Sequence, residues 1–103
     1  MANYTINRDG AKTTITPAGD LTASMNGELQ EALKTELESG VTELVFDLGS
    51  TVMLDSCGIG LLIAAANGLA RNKGKIQVVN VSPDILNLLQ SLRLAGRLNA
   101  RGR

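Results

Sequence analysis

The sequence predicts an α/β fold, with a mixed, mostly parallel β-sheet that begins with an antiparallel hairpin and carries helices packed on it. Two short β-type runs joined by a turn open the chain, and strand-type runs then alternate with helical stretches in the order β-β-α-β-α-β-α. Strands that alternate with helices need crossover connections and therefore lie parallel. With 103 residues, 44% of them hydrophobic, the chain is expected to form a single domain spanning residues 1–103.

The strands are predicted from short runs of β-type residues. A hairpin is expected over residues 3–8 and 11–17, with a tight turn at residues 9–10, because apolar and polar residues alternate on either side of an Asp-Gly pair. The run at residues 44–48 is almost continuously apolar, which is typical of a central strand covered on both faces. Residues 76–79 form a further strand.

The first helix is predicted between residues 19–20 and 39–40, with Thr22 or Ser24 as its N-cap. One helical face carries apolar residues at a four-residue spacing, namely Met25, Leu29, Leu33 and Leu37. The other faces carry charged residues and are expected to point outward, namely Glu28, Glu31, Lys34, Glu36 and Glu38.

Two more helices follow. Residues 58–72 are apolar on most faces, so this helix is expected to be buried. The last helix begins with a strong signal, because Ser82 suits the N-cap, Pro83 the first helical position and Asp84 the first turn. It should end near Gly96, and its apolar side holds Ile85, Leu88, Leu89 and Leu92.

The charge composition favours a protein partner. Ten basic and ten acidic residues leave no overall field that would draw the chain to nucleic acid or an anionic membrane. The only aromatic residues are Tyr4 and Phe46, too few for a platform that stacks nucleic-acid bases. The last eleven residues are basic without an acid, which is more typical of a solvated tail than of a binding site; they hold Arg93, Arg97, Arg101 and Arg103.

The residues that are missing exclude several classes of protein. Histidine is absent, which removes the usual general base and the commonest metal ligand, so we expect no metal and no cofactor. Cys57 is the sole cysteine, the first residues do not resemble a signal peptide, and the longest apolar run, residues 59–66, is too short to span a bilayer. We therefore expect a cytoplasmic protein without direct membrane insertion.

The most informative segment runs from Met53 to Gly60 and joins a strand to a helix through Ser56. A helix N-terminus leaves backbone N–H groups unpaired and carries partial positive charge, so it accommodates an anion. Ser56 could simply cap the helix, or it could be a phosphorylation switch. Asp55 could be a second cap, a turn residue, or an acid that a kinase recognises.

Other chemistry at this segment is less favoured. Cys57 could be a reactive thiol at a helix N-terminus, but burial as a small hydrophobic residue is the favoured interpretation. Gly58 and Gly60 lack the remaining residues of either nucleotide-binding motif. A serine hydrolase lacks its histidine and would need a lysine from elsewhere in the chain, namely Lys12, Lys34, Lys73 or Lys75.

The stretch V-F-D-L-G-S-T-V-M-L-D-S-C-G-I-G-L-L, with the later V-S-P and L-A-G, resembles the STAS domain of anti-sigma factor antagonists over about residues 10–96. Its most specific part, D-S-C-G-I-G, is similar to the D-S-(S/T)-G-(L/I)-G loop of that family. The resemblance implies a STAS-like fold. It also implies that Ser56 is phosphorylated by a partner kinase and that Asp55 is the acid before it.

In that family the unphosphorylated protein binds an anti-sigma factor, often itself a serine kinase, and so releases a sigma factor. Phosphorylation disfavours the complex and a PP2C-type phosphatase reverses it, so the resemblance implies a bacterial transcription regulator and not an enzyme. The implied partner-binding residues are Asp55, Ser56, Cys57, Gly58 and Ile59. The alternative is a STAS domain that serves as a fixed subunit or scaffold, for example of a lipid-transport ATPase or a stress-sensing complex.

Two departures from the family pattern bear on these expectations. Cys57 replaces a second hydroxyl residue, which excludes a second phosphorylation at that position. Few residues follow Gly96, where many relatives continue into a short strand and a helix, so part of the sheet is expected to be less covered.

Overall fold

The computed structural model describes residues 4–103, so residue 3, the predicted start of the first strand, lies outside the described residues. The elements follow the predicted order, with one strand added at the end. They are β1 (Tyr4–Asp9), β2 (Lys12–Pro17), α1 (Ala23–Glu38), β3 (Glu43–Asp47), α2 (Ser56–Arg71), β4 (Lys75–Val81), α3 (Pro83–Ser91) and β5 (Ala100–Gly102).

The five strands form one sheet in the order β1-β2-β3-β4-β5. β1 is antiparallel to β2, and the remaining pairs are parallel, which confirms the predicted mixed sheet with β3 at its centre. Asp9 pairs with Lys12, so the hairpin turn is Gly10-Ala11, one residue later than predicted. Gly10 has a φ of +64°, a conformation that glycine adopts without steric cost.

The hydrophobic core lies between the helices and one face of the sheet. Ile15, Phe46 and Val78, one from each of the three middle strands, are fully buried in a cluster with the apolar residues of all three helices. The expectation that β3 is covered on both faces is only partly right. Val45, on the opposite face, is buried beside Thr14 on β2, but it lies outside the core cluster that the helices cover.

Glu36 corrects the predicted outward face of α1. The other charged residues of that face are exposed, but Glu36 is only 5% exposed. Its carboxylate accepts hydrogen bonds from Arg8 Nε at 3.0 Å, Arg8 Nη2 at 2.6 Å and Thr13 Oγ1 at 2.6 Å. We call these three residues the Glu36 pin, since they attach the exposed edge strand β1 to the helix. The Arg8 guanidinium holds the pKa of Glu36 below its ordinary value, with a further contribution from Thr13.

The predicted burial of the second helix holds for one face only. α2 buries Leu61, Leu62 and Leu69, whereas Gly60 and Ala64 are exposed on its outer side. The helix also begins at Ser56, two residues before the predicted start at Gly58. It is therefore amphipathic, as expected for a helix that packs on a sheet and faces solvent.

The last helix begins as predicted and ends earlier. Ser82 caps it, with its Oγ accepting a hydrogen bond from Ile85 N at 3.2 Å. The helix ends at Ser91, not near Gly96, and turns lead from there into β5.

The basic end of the chain is not the solvated tail that its composition predicts. Ala100–Gly102 pairs with β4, and Arg97 donates a hydrogen bond to Asn67 Oδ1. The Arg103 guanidinium donates to Gly49 O at 2.8 Å and to Asn80 O at 3.3 Å. A short strand, β5, therefore follows Gly96, where the sequence was expected to leave part of the sheet less covered.

Candidate functional site

The β3–α2 loop, which carries Ser56 at its end, lies against the β2–α1 loop. Both loops follow the carboxyl ends of neighbouring parallel strands, so they leave the sheet at the same edge. Leu21 N donates to Met53 O at 3.1 Å, and Asp55 N donates to Leu21 O at 3.3 Å, which gives a short parallel bridge between Leu21 and Leu54. We call this contact between residues 19–23 and 51–58 the loop seam.

Side chains add further bonds across the loop seam. Asp20 Oδ1 accepts hydrogen bonds from Val52 N at 2.9 Å and Met53 N at 3.0 Å. The buried Thr51 donates its Oγ1 hydrogen to Gly19 O at 2.8 Å. Each loop thus satisfies backbone groups of the other that would otherwise need water, and this holds both loops in place.

Asp55 is the N-cap of α2. Its Oδ1 accepts from Gly58 N at 3.0 Å, and its Oδ2 accepts from Ala23 N, in the first turn of α1, at 3.1 Å. One carboxylate therefore joins the N-termini of two helices. Bonding to backbone N–H groups, Gly58 first and then Ala23, holds the pKa of Asp55 below its ordinary value. Of the roles considered for these two residues, capping belongs to Asp55 and not to Ser56.

Ser56 is the first residue of α2 and is exposed. Asp55 accepts the capping bond from Gly58, so the Ser56 hydroxyl does not take that bond, and Ser56 is exposed to solvent. The site thus presents a hydroxyl group on a well-held backbone, at the positive end of a helix dipole.

Cys57 and Gly58, which are neighbours in α2, differ in burial. Cys57 is exposed, so the expectation of a buried thiol is wrong. The buried residue is Gly58, where an added Cβ would lie 2.3 Å from Leu21 O and 2.7 Å from Leu54 Cδ1. Cys57 is the second residue of α2 and lies on its exposed side. Gly58 is the third residue, and because it has no side chain the two loops of the loop seam can approach each other. Ile59, the last of the predicted partner-binding residues, is half-buried.

Two apolar side chains of this loop were not among the predicted partner-binding residues. Val52 is 74% exposed and Met53 is 59% exposed, although Asp20 holds the backbone of both. Large apolar side chains on a well-ordered surface often mark contacts with other proteins. One feature of the sequence could have indicated their exposure. Both residues lie between the strand and Asp55, where neither fits the apolar periodicity of a neighbouring helix.

Three surface cavities of the described residues lie away from Ser56. Their volumes are about 490, 330 and 250 Å³, and they are lined by residues of other regions, the first beside Lys73 and the second between Leu37 and Ala64. Within residues 4–103, no group of three or more acidic or cysteine side chains is placed to hold a metal ion. No helix in this range is long and apolar enough to cross a membrane.

A family model described as "Mlab, STAS domain" matches residues 4–100. The chain belongs to the STAS domain family. This confirms the resemblance inferred from the D-S-C-G-I-G loop. A search of curated proteins found no match.

Solved structures of STAS proteins share the fold. The anti-sigma factor antagonist SpoIIAA in its unphosphorylated form is 20% identical over 84% of this chain and 81% of that chain, with a TM-score of 0.75. SpoIIAA of Bacillus in the phosphorylated form is 18% identical over 94% and 89%, with a TM-score of 0.78. An anti-sigma factor antagonist from Mycobacterium paratuberculosis is 18% identical over 97% and 85%, with a TM-score of 0.83. At these identities the likeness shows the fold alone.

Proposed function

We propose that this STAS domain is a bacterial, cytoplasmic anti-sigma factor antagonist that works as a phosphorylation-controlled partner switch. The unphosphorylated form binds an anti-sigma factor that is also a serine kinase, phosphorylation of Ser56 disfavours the complex, and a PP2C-type phosphatase restores it. The domain is then the substrate of an enzyme and not an enzyme itself. The observation that carries the proposal is the exposed Ser56 hydroxyl, which Asp55 leaves free of any capping role.

The electrostatics of the loop seam support a switch at Ser56. A phosphoryl group adds a charge of about −1.5 to −2 at neutral pH. Asp55 already accepts the hydrogen bonds from Gly58 N and Ala23 N, so the phosphate would not replace water at those groups and would face outward beside a carboxylate. A hundredfold loss of affinity requires only about 2.8 kcal/mol, which a dianion desolvated in an interface supplies.

The exposed apolar residues beside Ser56 support a protein partner. Val52 and Met53 would provide apolar contact area around the small hydroxyl, and their backbone is already ordered by Asp20. Binding would therefore cost little ordering of this loop. Together with Asp55, Ser56, Cys57, Gly58 and Ile59 they define the proposed docking surface.

The proposal is tested with the full chain purified from its own cells. Mass spectrometry of the peptide containing Ser56 should find a phosphorylated fraction, and an anti-sigma factor with kinase activity should co-purify. Against that purified kinase, Ser56→Ala should bind like the wild type, and Ser56→Asp should bind about a hundredfold more weakly. Ser91→Asp adds the same charge at an exposed serine at the end of α3 and should bind normally.

Equal binding of the wild type and Ser56→Asp would contradict the switch. If Ser56→Ala also left the cellular function unchanged while a stable complex persisted, the domain would instead be a fixed STAS subunit. The ordered loop seam is compatible with such permanent association as well as with a switch. The two Ser56 variants therefore distinguish a switch from a fixed subunit.

A further inference from the structure

The charges of the chain are separated along the sequence although their sum is zero. Residues 1–92 hold six basic and ten acidic side chains, a net charge of −4, and residues 93–103 hold four arginines and no acid, a net charge of +4. Because the last eleven residues are ordered against β4 and α2, this positive charge has a defined place on the surface. We call it the basic edge, formed by Arg93, Arg97, Arg101 and Arg103.

The arginines of the basic edge are exposed, and none of them forms an ion pair within the part of the chain that the structure describes. The ion pair found among the described residues joins Arg8 to Glu36, at the opposite edge of the sheet. Arg97 and Arg103 donate to uncharged oxygens, of the Asn67 side chain and of the Gly49 and Asn80 backbone. Such bonds orient a guanidinium group and leave its charge available to an anion.

Two exposed leucines precede the basic edge. Leu88 is 37% exposed and Leu92 is 46% exposed, and their spacing of four residues places them on one side of the end of α3, next to Arg93. The acid of this helix, Asp84, lies in its first turn, about 12 Å from Leu92 along the helix axis. Leu92 is thus adjacent to the positive charge of Arg93 and distant from Asp84, whereas Leu88 lies about 6 Å along the helix axis from Asp84.

We propose that the basic edge, with Leu88 and Leu92, is a docking surface for an anionic lipid membrane. Arginines combined with exposed leucines are typical of segments that lie at a membrane interface, where the headgroups attract the charge and the apolar side chains enter the boundary with the acyl chains. Arg97 lines the third cavity near the start of β4, whereas Arg103 bonds to Asn80 O near its end. The arginines are therefore spread along the edge and do not converge on one pocket, which suits a fluid surface of many headgroups.

A nucleic acid fits the same surface less well. Base stacking needs aromatic side chains, and the two in the chain are Tyr4, on the far edge strand, and the buried Phe46. Nor would a nucleic acid use the leucines. This docking is independent of Ser56 and of the switch proposed for it.

The test measures co-sedimentation of the full chain with phosphatidylcholine vesicles, with and without phosphatidylglycerol, at low salt. The wild type should bind the anionic vesicles at least about tenfold better than the neutral ones, and about 0.5 M salt should remove the difference. Replacing Arg93, Arg97 and Arg101 with Gln should lower binding at least about tenfold. Arg103 is kept because it holds Gly49.

The matched control removes equal charge away from the basic edge, by replacing Lys12, Lys34 and Lys73 with Gln. It should change binding less than about twofold, because acidic residues line the same cavities as these lysines, Asp9 and Glu43 the first and Glu38 the second. Leu88→Ser/Leu92→Ser should weaken vesicle binding without removing its salt dependence. Circular dichroism melting should show each variant folded.

Three results would overturn the proposal. The first is no preference of the wild type for anionic vesicles. The second is an equal loss in the lysine and arginine variants, which would assign binding to net charge. The third is release of the protein from vesicles by a DNA duplex at equal phosphate concentration, which would indicate a nucleic-acid surface.

Discussion

The loop seam and the Glu36 pin are two ways of attaching one part of this domain to another. The loop seam uses many bonds near the surface, from Asp20, Asp55 and the backbone, and each is close to water. The Glu36 pin concentrates its hydrogen bonds on one buried carboxylate, which receives them from Arg8 and Thr13.

This difference in how the hydrogen bonds are distributed agrees with what each region exposes at the surface. An edge strand needs only to stay attached, and one buried carboxylate with its partners achieves that. Under the proposed function the Ser56 loop keeps a hydroxyl group exposed and is still ordered, and its bonds are distributed over backbone groups that the proposed partner would not need. Because the bonds are distributed, the loss of one should be tolerated better than a change that separates the loops.

Gly58→Ala should break the loop seam and have the largest effect. The new Cβ would meet the Leu21 carbonyl oxygen at 2.3 Å, which forces the backbone of the two loops apart. We expect a loss of about 3 kcal/mol in the free energy of unfolding, measured by urea denaturation, and loss of partner binding. Gly60→Ala is the matched control, because nothing lies within 4 Å of its added Cβ. It should raise stability by up to about 1 kcal/mol, as expected in a helix; equal behaviour of the two variants would refute the close approach.

Glu36→Ala should break the Glu36 pin with a smaller effect. It removes the bonds to Arg8 and Thr13, and we expect a loss of about 2 kcal/mol, less than for a fully buried pair because the Arg8 side chain is 41% exposed. Hydrogen exchange of the β1 amides should rise while that of α2 stays unchanged. Glu38→Ala, at an exposed position two residues later, should stay within about 0.5 kcal/mol of the wild type, and a similar loss there would contradict the pin.

The smallest expected effect separates the two regions by pH. Glu36 has a pKa lowered from its ordinary 4.5 by Arg8. A lowered pKa in the folded state contributes stability above the unfolded value, and that stability is lost as the pH falls through the folded value. The stability difference between wild type and Glu36→Gln should therefore be full above pH 4.5 and shrink below it.

High salt should reduce this difference, because a guanidinium group lowers the pKa of Glu36. Asp55→Asn should show the same sign of pH dependence, since the pKa of Asp55 is also lowered, but backbone N–H groups cause that shift, so salt should change it less. Equal salt sensitivity in the two variants would remove this distinction.

Local patterns were sufficient to predict most of the fold. The apolar spacing of α1, the Ser82 cap of α3 and the apolar run of β3 each depend on neighbours in sequence, and the structure confirms all three. β5 was missed because Ala100–Gly102 is short and carries none of the branched or aromatic residues typical of strands. Its place is decided by pairing with β4, which is a long-range contact.

The wrong or missing predictions for single residues also arise from contacts between parts of the chain that are distant in sequence. Glu36 was assigned to the surface because its partner Arg8 lies 28 residues away in the chain. Asp55 and Ser56 are both good N-cap residues, and only the bond from Gly58 decides between them. The role of Asp20 was not predicted at all, because it binds backbone groups of another loop, which no residue pattern records.

The loop seam also determines how much of the molecule an engineer would have to transplant. The segment from Met53 to Gly60 would lose its partners if it were grafted alone onto another α/β scaffold, because Asp20 and Leu21 belong to a different connection. A recipient would need two adjacent parallel strands, both connections and the first turns of both helices. The smallest unit that could be transferred is thus a pair of loops at one sheet edge. A continuous peptide with the amino-acid sequence of one loop should not reproduce the site.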